Sequence, residues 1–88
     1  MKQRLILTAK TWKEGKHYIA YSPELEVASQ GKTQEQAEKR LKEAIELFIE
    51  TVKKMGTLKQ VLQESGFMTG GQKWSSPAIS ISSLEVNV

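Results

Sequence analysis

His17 is the single histidine in the chain, and the first residue to test for chemistry. A general acid or base needs a second titratable group or a nucleophile within reach, and no nucleophile motif lies near it. Nor does any residue at useful spacing complete a metal site around it. Glu35, Glu38, Glu43, Glu46 and Glu50 alternate with lysines, the pattern of a solvated helix face. The chain has no aspartate, so the acidic cluster that a two-metal nuclease uses is not indicated. Gly31-Lys32-Thr33 precedes a helix start and invites a phosphate-loop reading. The earlier glycine of that motif is replaced by Glu26, so the triplet reads as a turn followed by a cap. No catalytic residue, cofactor or metal is expected.

Binding chemistry is better represented. Trp12, Ile19 and Tyr21, with Ile6, fall on one phase of two alternating segments. Aromatic residues with a polar handle, gathered on one face, are typical interface anchors. Scattered apolar surface residues are common, but four on one small sheet favour a binding face. Lys2, Arg4, Lys10, Lys13 and Lys16 are opposed only by Glu14 in the first part of the chain. Lys10, Lys13 and Lys16, with Trp12, are therefore candidate nucleic-acid contacts, against the plainer reading of a solvated hairpin.

The elements that must hold these residues follow from periodicity. Residues 4–12 alternate, with Leu5, Leu7 and Ala9 on one side and Ile6, Thr8, Lys10 and Trp12 on the other. Lys13-Glu14-Gly15-Lys16 reads as a hairpin turn, and residues 17–22 as the return strand. Pairing through that turn sets Trp12 beside His17 and Ala9 beside Ala20. Pro23 removes a ladder donor, so the strand stops or sits at an edge there; Leu25 to Gln30 forms a third, and Gly31 allows a conformation that other residues resist. Thr33 and Gln36 have capping-box spacing, and Ala37, Leu41, Ala44, Ile45, Phe48 and Val52 follow at helical intervals. Glu35/Lys39, Glu38/Lys42 and Glu50/Lys54 are helical pairs stabilising by ~0.2–0.5 kcal/mol each. Gly56 ends the helix. Thr57 and Gln60 repeat the capping spacing for a short helix with Leu58, Val61 and Leu62 buried, closed by Gly66. Thr69 to Lys73 reads as a flexible loop. After Pro77, residues 79–88 alternate as a last strand whose apolar phase switches between Ile81 and Leu84. A bulge at Ser82-Ser83 explains the switch, and so does a strand crossing to a partner.

The order is β-β-β-α-(short α)-β, an α+β fold forming one domain over residues 1–88. The expected sheet is a small antiparallel meander, made mixed by the last strand returning parallel to the first, with the helices on one face. Leu5, Leu7, Ala9, Tyr18 and Ala20 should face the helices, and Ile6, Thr8, Trp12, His17, Ile19 and Tyr21 the other way. A chain of 88 residues buries a modest core, so association into a homodimer or higher homo-oligomer is expected. A net charge of +3 is too mild to identify a polyanionic partner. The absence of cysteine fits a cytoplasmic setting, and neither a membrane-spanning run nor a signal-peptide core is seen.

One stretch carries a family resemblance. Tyr18-Ile19-Ala20-Tyr21-Ser22-Pro23-Glu24-Leu25 is followed by Ser29-Gln30-Gly31-Lys32-Thr33, then Gln36-Ala37 and Leu41-Lys42-Glu43-Ala44-Ile45. This resembles the HicB-like antitoxins of type II toxin–antitoxin systems, over roughly residues 5–55. The chain looks like the compact, single-domain branch. It has the shorter Glu26-Val27-Ala28 where many members carry a Pro-Gly-Cys-like segment, and no DNA-binding module is visible. The resemblance implies a degraded ribonuclease H-like fold without the catalytic acids. It implies a HicA-type, mRNA-cleaving toxin as partner, neutralised by masking its active face. Tyr18, Tyr21, Pro23, Glu24 and Leu25 would shape the binding region, with Ile6, Trp12 and Ile19 adjoining, and Glu24 and Glu26 could pair with a basic toxin surface. Direct DNA binding is not expected. The alternative is an RNA-binding or orphan self-assembling module built on the basic hairpin.

Overall fold

A computed structural model describes residues 4–70, 73–75 and 79–88. The readings made for Met1-Lys2-Gln3, for Gly71-Gln72 and for Pro77 lie outside the described residues. The chain is a small α+β fold. Its strands are β1 (Arg4–Leu5), β2 (Lys10–Glu14), β3 (His17–Ser22) and β4 (Val27–Gly31), followed by helices α1 (Gln34–Lys54) and α2 (Leu58–Glu64). Two further strands, β5 (Met68–Gly70) and β6 (Lys73–Ser75), come after the helices.

β2, β3 and β4 form the antiparallel meander, in that spatial order. The β2–β3 register differs from the expected one. Trp12 pairs with Ile19, Thr11 with Ala20 and Glu14 with His17. The turn is only Gly15-Lys16, with Gly15 at φ 62° and no positive φ at Lys16, the pattern of a II′ hairpin. Lys13 and Glu14, read as turn residues, belong to the strand. Such a turn follows the right-handed twist of its strands, so a longer polar loop is not needed.

The first strand is also not continuous. Residues 6–9 have no regular structure and join β1 to β2. The backbone N–H of Thr8 donates to Oε2 of Glu24 at 2.8 Å, so at this point the chain bonds a side chain instead of a neighbouring strand. The expected alternation therefore fails here. Thr8 is half-buried and lines the helix side, while Ala9 is exposed at the edge of a groove there.

β1, β6 and β5 make a second small sheet, with β1 parallel to β6 and β6 antiparallel to β5. A parallel return to the first strand therefore exists, but Lys73–Ser75 supplies it. The glycine-containing stretch read as a loop from Thr69 to Lys73 includes parts of the paired strands β5 and β6. Residues 79–88, expected to be the last strand, have no regular structure and are exposed. Among the described residues, no strand pairs with residues 79–88.

Helix α1 lies beneath β4 and β3. Its buried stripe is Ala37, Leu41, Ile45 and Val52. Ala37, Leu41 and Ile45 form a core with Ala20, and Leu7, Tyr18, Leu25, Val27 and Ile49 pack around it. The second core is Leu62, Phe67 and Trp74, bordered by Leu5, Leu7, Leu25, Ile49 and Leu58. Thr33 caps α1, accepting from the Gln36 N–H at 3.1 Å. Gln36 reaches back as a capping box does, but Oε1 takes the N–H of Lys32, one residue before the cap, at 2.6 Å.

Both helices end in Schellman motifs. Gly56 N–H donates to Lys53 and Thr57 N–H to Val52; Gly66 N–H donates to Gln63 and Phe67 N–H to Leu62. Thr57 does not cap α2 with its side chain, because its hydroxyl points back to the Val52 carbonyl, at 3.5 Å. Of the three expected helical ion pairs, the structure brings together Glu50 and Lys54 at 3.4 Å. That pair is well exposed and contributes little.

Gly31 is buried without a left-handed φ, which corrects the expectation of a special backbone conformation. A Cβ there would lie 2.7 Å from the Ala37 nitrogen, so the requirement is for space.

Candidate functional site: the outer face of the meander

Residues directly opposite one another across antiparallel strands share a face. The observed register gathers Lys10, Trp12 and Glu14 of β2 with Tyr21, Ile19 and His17 of β3. The next row, from β4, is Ala28 and Gln30. Helix α1 packs on the opposite face, where Ala20 and Ser22 are fully buried. On the outer face Trp12 is 39% exposed, and Ile19 and Tyr21 are half-buried. The Lys10 ammonium stands 5.8 Å from the centre of the Trp12 ring, a cation–π contact that lays the lysine stem along the aromatic surface.

The structure thus brings together Trp12, Ile19 and Tyr21. It separates other residues expected beside them. Ile6 is 52% exposed but sits in the link between β1 and β2, outside the meander. Tyr18 is on the helix side, half-buried against the core, with the Lys13 ammonium 6.0 Å from its ring. Leu25 packs against both cores. Pro23 opens the four-residue turn between β3 and β4, and Glu26 ends that turn in the left-handed region at φ 56°.

Glu24 is turned inward, only 6% exposed. Oε1 accepts the Ser22 hydroxyl at 3.2 Å and Oε2 accepts the Thr8 N–H. Its carboxylate is committed inside the fold and does not face a partner; Glu26 is exposed. The buried role of Glu24 had one signal in the sequence. Ser22 continues the inward phase of Tyr18 and Ala20, and a buried hydroxyl needs a partner.

The basic hairpin is divided as well. Lys10 is on the outer face, Lys13 on the helix side, and Lys16 in the turn. His17 is exposed and stands opposite Glu14, two positions from the expected Trp12. Among the described residues, no group of three or more His, Cys, Asp or Glu side chains is placed to hold a metal ion. No helix among them is long and apolar enough to cross a membrane.

The face carries a tryptophan, an isoleucine and a tyrosine ringed by Lys10, Glu14, His17 and Gln30. Such a centre and rim can exclude water and fix orientation on a protein partner. No family model, curated protein or solved structure matches this chain.

Proposed function

We propose that the protein is a non-enzymatic binding module of the antitoxin kind, which neutralises a HicA-type, mRNA-cleaving toxin by covering its active face. The observation that carries the reading is the alignment of Trp12, Ile19 and Tyr21 on the face of the meander opposite α1. The HicB-like motif supports it from sequence: its strand, proline turn, glycine turn and capped helix occupy β3, β4 and the start of α1 in unbroken order. The finer fold that goes with this reading is a degraded ribonuclease H-like sheet. The setting is the cytoplasm, and the protein acts as a homo-oligomer.

Masking predicts that a small RNA-cleaving toxin co-purifies with the chain from its native cells. RNA cleavage by that toxin should fall to background at equimolar protein. Trp12→Ala combined with Ile19→Glu should weaken the complex by at least roughly 30-fold, the scale of a lost hot spot. The circular dichroism spectrum should stay unchanged. Full cleavage in the presence of excess wild-type protein would sink the proposal, and so would a double variant that inhibits as well as wild type.

A further inference from the structure

The outlying segment and an open groove on the same chain fit one another. Residues 79–88 carry Ile79, Ile81, Leu84, Val86 and Val88, all exposed; Leu84 is 87% and Val86 80% accessible. From Leu84 onward the phase is regular, with Leu84, Val86 and Val88 on one side and Glu85 and Asn87 on the other. That is the pattern of a half-buried strand without a sheet. The radius of gyration is 14.9 Å, against about 12 Å for a compact chain of this length.

The groove, of about 860 Å³, runs beside α1 below the chain leading into β2. Leu7, Ala9, Leu41, Ile45 and Ile49 contribute its apolar lining. Its α1 rim mixes Glu38, Glu46 and Glu50 with Lys42 and Lys53. β2 is the edge of the meander on this side, paired only with β3 among the described residues. An added strand there would extend the sheet across the groove and satisfy the open edge. Lys10, on the outer face of β2, suits a strand whose one charged residue, Glu85, lies on the side away from Leu84, Val86 and Val88.

Residues 84–88 join no strand of their own copy, and the β2 edge carries no strand but β3 among the described residues. A second copy offers the same open edge. We propose that residues 84–88 of one copy pair along the β2 edge of a second copy. This would direct Leu84, Val86 and Val88 into the groove beside α1, in a reciprocal exchange that closes a dimer. Donor and acceptor are different places on the chain, so exchange in both directions is what closes the assembly.

Sedimentation equilibrium of the full chain tests the exchange. Wild type should be dimeric, and Leu84→Glu with Val86→Glu should weaken association at least about 100-fold while leaving the helical spectrum intact. Trp12→Ala with Ile19→Glu, on the outer face, should leave the dimer in place. That separates this inference from the proposed masking of a toxin. The chain has no cysteine, so the variant Ala9→Cys with Val86→Cys reports the geometry directly. Mild oxidation should give a covalent dimer that runs as monomer after reduction. A monomeric wild type, a dimer indifferent to the two glutamates, or a disulfide closed within one chain would each overturn the proposal.

Discussion

Gly31→Ala lowers the stability of the domain by about 1–3 kcal/mol, and Gly31→Val by more. The added Cβ would meet the Ala37 nitrogen at 2.7 Å, the Gln36 carbonyl carbon at 2.9 Å and the Gln36 Cβ at 3.0 Å. Two of these atoms are helix backbone, so no rotamer change removes the clash. The first turn of α1 is held in place by the Thr33 cap and by the Gln36 contact to the Lys32 N–H. Ala37, one turn in, is fully buried. Relief therefore needs α1 to lift from β4, which loosens the core of Ala20, Ala37, Leu41 and Ile45. Alanine also restricts the unfolded chain, an offset of about 0.4–1 kcal/mol that leaves the sign unchanged. For a domain this small each kcal/mol moves Tm by roughly 4–8 °C. Urea unfolding followed at 222 nm measures the loss. An alanine variant within about 0.5 kcal/mol of wild type would mean that β4 and α1 approach less closely than described.

The second large effect is at Glu24. Glu24→Ala should cost about 2–4 kcal/mol, because a buried carboxylate with two hydrogen bonds leaves both donors without their partner. The Thr8 N–H and the Ser22 hydroxyl are those donors. Glu24→Gln keeps an acceptor for Thr8 and an amide for the Ser22 oxygen, so about 1 kcal/mol is expected. Ser22→Ala removes one donor with the group that needed it. The double variant Ser22→Ala/Glu24→Ala should therefore cost less than the sum of the single changes. Strict additivity in denaturant titrations, or a glutamine variant as weak as alanine, would show that the carboxylate does not hold these two groups.

The sequence made the meander and α1 legible for separable reasons. Alternation from His17 to Ser22 and the Ala37, Leu41, Ile45, Val52 spacing both survive folding because each faces one core. The glycine ends at Gly56 and Gly66 were readable because a left-handed C′ residue is a local requirement. Lys13 and Glu14 misled because the exposed end of an edge strand carries no apolar mark, and the register moved by two residues in consequence. The gap at residues 6–9 had no periodic trace at all. It depends on a carboxylate from a turn 16 positions away. The same limit holds for the candidate site. Trp12, Ile19 and Tyr21 share a face in either register, so their grouping was readable. Tyr18 points inward as the alternation with Ala20 already implied, whereas Glu24 and Leu25 lie in a turn without periodicity, where the packing decides which way they point. Residues 79–88 show the converse, a strand pattern that a single copy leaves without a neighbour.

The two sheets also differ in how far apart in the chain their partners lie. Every pairing in the meander joins neighbours through a short turn, and α1 begins three residues after β4. The contact of β1 with β6 instead joins Arg4 to Lys73 across nearly the whole molecule. Closing so large a loop costs entropy before any contact rewards it, which makes long-range parallel pairing slow. Assembly therefore runs from the middle outward. During synthesis β1 waits, without its partner, until the meander and both helices have been made.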